Sequence, residues 1–210
     1  MLQALAAPAA ALALATSFES SIQPLPQPVR QHLKSAGYWK RGCPVPLSDL
    51  RLLTVSHRGW RGRRREGQLI VNKAAAPRLR VAFRRLYALH FPVRHMRLRD
   101  YYGPGPARSD VTASFHCRQA AASPCTGGRT GSWSNHAYGL AVDVNPRENP
   151  YVGCGMSHNR TARLYRDRSR HRKGMVTPRA VQAFASVGWS WGGAWTGNTK
   201  DYMHFSVNGR

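Results

Sequence analysis

Two aspartates in a chain almost without acids place the strongest constraint on its fold. The 210 residues hold nine Asp and Glu against thirty-two Lys and Arg. Yet Asp143 closes Ser134-Asn135-His136-Ala137-Tyr138-Gly139-Leu140-Ala141-Val142-Asp143, and Asp201 opens Asp201-Tyr202-Met203-His204, two segments otherwise apolar or aromatic. An ionised carboxylate in such surroundings must be paired, hydrogen-bonded or bound to a metal, because burying it alone outweighs the net stability of a whole domain. Each aspartate also has a histidine in its own segment, and the two segments could point their ligands into one cleft.

Three ligands of the His/Asp/His kind, with a fourth position open, describe a catalytic zinc site, and His136, Asp143 and His204 supply that set. Residues 139–145 alternate as a strand, with Gly139, Ala141 and Asp143 on one face and Leu140, Val142 and Val144 on the other. Tyr202, His204 and Ser206 share one face of a second short strand, leaving Met203, Phe205 and Val207 for the core. Asp201, three residues before His204, can act as general base towards water at the metal. It can equally orient His204 as a hydrogen-bond partner. A His followed seven residues later by Asp is commonly a surface accident or a satisfied core pair, and the second segment is what favours the metal. No His-Glu-x-x-His run, Cys-x-x-Cys pair or Walker-type phosphate loop is present. His116, His158 and His171 lack a partner at ligand spacing.

Ser-x-His-x-x-Gly-x-Ala-x-Asp followed by Asp-x-Met-His-Phe resembles the M15 family of zinc D-alanyl-D-alanine peptidases. The resemblance extends over residues 38–207, through Gly42-Cys43-Pro44-Val45-Pro46-Leu47, Phe91-Pro92-Val93, Ser114-Phe115-His116-Cys117-Arg118 and Gly188-Trp189-Ser190-Trp191-Gly192-Gly193. It implies hydrolysis of peptide bonds in peptidoglycan stem peptides, either D-alanyl-D-alanine carboxypeptidase activity or cleavage between L-Ala and D-Glu. The roles it implies are Zn2+ on His136, Asp143 and His204, Asp201 as base, and Arg118 stabilising the oxyanion. Arg118 has an ordinary reading as a structural salt-bridge or exposed arginine. Ser134, Trp189 and Trp191 are candidate substrate contacts, although tryptophans of this kind more often fill a core. Gly192-Gly193-Ala194-Trp195 departs from the family's Gly-Gly-Asp-Trp, and Ser109 to Ala113 replaces an asparagine-rich run; both departures bear on substrate preference.

A net charge of +23 comes from twenty-seven arginines and five lysines, concentrated in Arg58 to Arg65 and Arg160 to Lys173. Such runs attract polyanions. Anionic wall polymers fit the peptidase reading. A nucleic-acid-binding protein is the alternative from another class, but no helix-turn-helix or zinc-finger pattern accompanies the charge. A wall-binding protein that keeps the fold without catalysis is a third reading, opposed by the complete ligand set.

Length and composition suit one α+β domain at 38–210: a small antiparallel sheet carrying the zinc ligands, flanking helices, and the D,D-peptidase/Hedgehog-like arrangement implied by the resemblance. A monomer is expected. Residues 1–15 form an apolar segment ending Ala13-Leu14-Ala15, like a signal-peptide cleavage site but without a basic start, and favour an extracytoplasmic, secreted or wall-associated protein. Residues 16–37 are expected as a linker or extension. Four cysteines allow three disulfide pairings, of which Cys43 with Cys117 and Cys125 with Cys154 is the expected one. Pro77 to His90 is expected as a helix, Val93 to Leu98 as a strand. Thr177-Pro178 should start a helix that Gly188 ends.

Overall fold

A long antiparallel hairpin organises the chain. The computed structural model describes residues 17–103, 110–126, 128–157 and 159–210. The apolar segment 1–15, His158 and Ser109 lie outside them. Strand β2 (Leu50–Arg58) pairs with β3 (Arg64–Asn72) in unbroken register from Leu50↔Asn72 to Arg58↔Arg64. Alternation gives this hairpin two apolar faces. Leu53, Val55, Leu69 and Val71 point into one core cluster, Leu50 and Ile70 into another, and all six are buried.

The first cluster lies under helix α2 (Ala76–Ala88), whose Leu79, Phe83 and Leu86 recur at helical spacing. The helix stops earlier than the sequence suggests. His90, expected on the apolar stripe, is exposed at φ 54°, and the chain leaves α2 through it. The expected strand from Val93 to Leu98 does not form. Residues 92 and 95 make only single parallel bridges, to Arg58 and Val111, and Leu98 already begins α3 (Leu98–Tyr102). Burial of Val93 and Met96 at a spacing of three, rather than two, is incompatible with a regular strand.

The segment expected as a linker is structured from Ser20 onward. β1 (Ser20–Pro24) adds to β2 as an edge strand, where a terminal proline is tolerated, and α1 (Gln27–Ser35) buries Leu33 in the second cluster. Its prolines start a helix and end an edge strand; they do not mark a free tether.

The second half adds β4 (Gln119–Ala121) against β5 (Arg129–Trp133), then β6 (Ala141–Asp143) and β7 (Tyr151–Gly153). Helix α4 (Pro178–Ala185) begins as expected: Thr177 accepts from the Ala180 amide at 3.2 Å, with Pro178 in the first turn. Then follow β8 (Ser190–Trp191), β9 (Thr199–Asp201) and β10 (His204–Ser206). β10 lies between β6 and β8, and β7 pairs with β9, all antiparallel. Phe184 of α4 stacks on Phe205 of β10 with ring centroids 3.9 Å apart, joining this small sheet to the core under α2. The whole is a mixed α/β arrangement of small antiparallel sheets with a few helices.

Candidate metal centre

The register of β6 and β10 places Asp143 directly opposite His204. Cross-strand neighbours of an antiparallel pair lie about 5 Å apart at Cβ, so two residues distant in sequence become side-chain neighbours. His136 arrives from a short 3-10 helix, Asn135–Tyr138, which ends at Gly139 with φ 66°. A Cβ at Gly139 would sit 2.6 Å from the Asn72 backbone nitrogen, so only glycine lets this turn pack on the central hairpin. The strand expected from Gly139 to Asn145 starts only at Ala141 for that reason, and it stops at Asp143, before Asn145 turns at φ 45°.

His136 Nε2, His204 Nδ1 and Asp143 Oδ1 are mutually 3.2 Å apart. The outer nitrogens also have partners. His136 Nδ1 lies 2.6 Å from the Ser114 carbonyl, and His204 Nε2 lies 3.1 Å from the Arg210 backbone oxygen. Both oxygens can only accept, so a ring N–H directed outward to each leaves the inner nitrogens as lone pairs, whereas an inner proton on His204 would go to Asp143 Oδ1, 3.2 Å away. With the protons outward, three acceptors converge on one point. Both histidines are buried and the Asp143 side chain is 20 % exposed, so water is a poor substitute for a cation there. The donor set suits zinc, which accepts imidazole and carboxylate ligands. Among the described residues no other His, Cys, Asp and Glu group converges in this way.

The charges around this point are strongly coupled. Burial pushes the Asp143 carboxyl up, but His136 and His204 overcome it and hold it well below the usual range. Burial pulls His204 down, and the hydrogen bond and charge of Asp143 raise it overall. Asp201, at the end of β9, is raised to about 7 by burial and by the Asp143 charge, against the pull of His204 and Arg118. Its Oδ1 is buried with no hydrogen-bond partner. Gly192 makes room: a Cβ there would lie 2.6 Å from the Asp201 carbonyl oxygen and 3.3 Å from the His204 Cβ.

The other candidates separate. Arg118 is half-buried, donates to the Gln119 carbonyl at 3.3 Å, and its charge is felt at Asp201. Ser134 turns inward as the cap of the His136 turn, accepting from the His136 amide at 3.2 Å. Trp189 is 1 % exposed and belongs to the core, which removes it as a substrate contact. Trp191 packs on Phe205 and donates to the Tyr202 carbonyl at 2.8 Å. Two aromatics missed in the sequence lie closer. Trp195 has its ring 6.1 Å from that of His204 and packs edge-on against Tyr151, which pairs with Asp201 across β7 and β9. Spacing could not reveal them; the departure at Gly192-Gly193-Ala194-Trp195 was the available signal.

Disulfides join Cys43 to Cys117 and Cys125 to Cys154, the expected pairing. The first anchors the residue before Arg118 to the N-terminal half. The second ties the β4–β5 turn to the end of β7, beside the strand that carries Asp201.

Residues 127–207 match the family model described as D-alanyl-D-alanine carboxypeptidase. The match supports an M15-family peptidase. The matched segment contains His136, Asp143, Asp201 and His204 and stops short of Arg118, which rests on the wider resemblance and on its charge at Asp201. No curated protein and no solved structure matches the chain. No helix among the described residues is long and apolar enough to cross a membrane.

Proposed function

We propose that the chain is a zinc-dependent D-alanyl-D-alanine carboxypeptidase acting on peptidoglycan stem peptides outside the cytoplasm. The observation that carries the reading is the convergence of three potential ligand atoms, His136 Nε2, His204 Nδ1 and Asp143 Oδ1, beside an Asp201 carboxyl whose Oδ1 has no hydrogen-bond partner, all inside the segment that matches the peptidase family. His136, Asp143 and His204 would hold the zinc, which when bound supplies Lewis-acid activation of water and of the scissile carbonyl.

The remaining chemistry belongs to the chain. Asp201, ionised, takes a proton from the attacking water as oxygen bonds to the carbonyl carbon. As the C–N bond breaks, the same carboxyl returns that proton to the leaving amine. In the metal-free protein burial and the Asp143 charge raise that carboxyl to about 7, and a cation held beside it would lower it and favour the ionised base. Arg118 offers positive charge to the oxyanion from its place beside Asp201. Trp195 and Tyr151 form an aromatic side to the site and keep water away from it.

The basic surface supports attraction to anionic wall polymers. Arg61, Arg63 and Arg65 are exposed at the tip of the central hairpin. Other arginines are used internally: Arg58 stacks on Tyr87, Arg94 on Trp60, and Arg168 on Tyr202 while donating to the Glu148 carbonyl. The test is mass spectrometry of defined muropeptides incubated with the protein, with and without chelator and with zinc restored. Chelator-sensitive loss of one terminal D-Ala is the expected result. Separation of L-Ala from D-Glu would keep the site and change the bond. Absence of cleavage by the zinc-loaded protein would overturn the reading in favour of wall binding, and salt-sensitive binding to DNA but not to purified wall would favour a nucleic-acid role.

A further inference from the structure

We infer that the turn Asn208-Gly209-Arg210 is a positioning element for the metal site: the Arg210 backbone oxygen selects the His204 tautomer that can bind a cation. The inference rests on the proposed metal role of His204 and extends it to residues that neither the resemblance nor the family match covers, since the match ends at 207.

His204 carries one ring proton when neutral, and two acceptors compete for it. Asp143 Oδ1 lies 3.2 Å from Nδ1, and the Arg210 backbone oxygen lies 3.1 Å from Nε2. A proton on Nδ1 would satisfy Asp143 and point an N–H at His136 Nε2, blocking the centre. A proton on Nε2 leaves the Nδ1 lone pair facing inward. The Arg210 oxygen therefore competes directly with a carboxylate, and it can succeed only if it is held firmly in place.

The surrounding bonds hold it. The same Arg210 oxygen accepts from Ser206 Oγ at 2.9 Å and from Asn135 Nδ2. Asn208 Oδ1 accepts from the Arg210 amide at 3.1 Å and from Asn135 Nδ2 at 2.6 Å. Trp195 Nε1 donates to the Gly209 carbonyl, while Gly209 turns the chain at φ 74°. Asn135 precedes His136 directly, so one amide side chain couples the turn that orients His204 to the helix that presents His136. Asn135 is half-buried and Asn208 exposed, yet the side chains of both are committed to this turn.

The experiment compares the full chain with Asn208→Leu, Asn208→Asp and a variant lacking residues 208–210. Zinc affinity is measured by competition with a chromophoric chelator, and ligand geometry by the visible absorption of the cobalt(II)-substituted protein. Loss of a hydrogen-bond partner of a metal-bound histidine typically weakens metal binding 10–100-fold. That loss, with an altered cobalt spectrum, is expected for Asn208→Leu and for the deletion, whereas Asn208→Asp, which keeps the acceptor, should return affinity towards the parent value. Melting of the metal-free proteins identifies general unfolding, and if the deletion unfolds, the milder Asn208→Leu decides. Affinity within about two-fold of the parent and an unchanged cobalt spectrum in Asn208→Leu would overturn the inference while leaving the zinc site standing. A parent protein that takes up no zinc would overturn the metal reading itself.

Discussion

Two polar clusters adjoin β6, a rear one beyond its end at Asn145 and a front one at Asp143, built from similar atoms and finished in opposite ways. In the rear one, Asn145 and Asn149 are fully buried and matched. Asn145 accepts from the Arg94 amide and donates to the Pro92 and Gly174 carbonyls, and Asn149 donates to Val144 and Gly174 and accepts from the Val176 amide. Glu148 beside them leaves Oε2 without a hydrogen bond, yet its charge is met by Arg94 at 2.6 Å. In the front one, His136, His204 and Asp143 turn three acceptors on one another, and Asp201 holds an orphaned oxygen. Matched donors and acceptors lock a backbone. Convergent acceptors do the reverse: they store repulsion that only a cation or a proton relieves, which is how a site differs from a scaffold.

Removing a convergent acceptor should have the largest effect. Asp143→Ala is expected to abolish stoichiometric zinc uptake, measured by elemental analysis, and to lower muropeptide turnover by at least ~10³-fold. Asp201→Asn should separate chemistry from binding: zinc retained, with turnover lower by roughly 10²–10⁴-fold. The pH dependence fixes the sign. A base is active only when deprotonated, so kcat/KM should fall as pH drops through the Asp201 pKa, about 7 in the metal-free protein and lower once a cation occupies the neighbouring site. Asp201→Asn should remove that acidic limb. A variant that kept it would transfer the base role to another group.

The front cluster was largely legible in the sequence because its logic is local: carboxylate beside histidine, small residues alternating with apolar ones, a glycine where a turn must pack closely. Thr177-Pro178 was legible for a similarly local reason, while the even cysteine count announced disulfides without choosing among three pairings. What escaped depended on pairing over distance. Residues 20–24 look like a tether until β2 supplies an edge, and His90 fits a helical stripe until Phe91 turns back to the core. Arg94 gives no hint in sequence that Glu148, Asp110 and Trp60 will all meet it. Trp195 and the turn at 208–210 escaped because their importance lies in what they touch.

In the rear cluster the prediction concerns stability alone. Arg94→Met should leave Glu148, which has no solvent exposure, as an uncompensated buried charge, and loss of one partner from a buried pair costs about 3–5 kcal/mol. Denaturant unfolding of the metal-free protein measures it. A cost below about 1 kcal/mol would place the pair among ordinary surface bridges and weaken the contrast between the clusters.

Asp110 gives the finest comparison, because it is the member of the rear cluster that most resembles the front one. Burial and the Glu148 charge raise its carboxyl to about 6, and Arg94 and Arg147 only partly oppose them. Its ordinary value is 3.8, so the folded state binds a proton that the unfolded chain has already released between those two values. The stability this provides is therefore complete below about 3.8 and lost as pH rises through about 6. Asp110→Asn mimics the protonated form at every pH, so the variant should melt higher than the parent above pH 6 and converge with it in acid. Parallel melting curves across the range would mean that Arg94 satisfies Asp110 fully. In that case strain at β6 would belong to the front cluster alone, where a cation can relieve it.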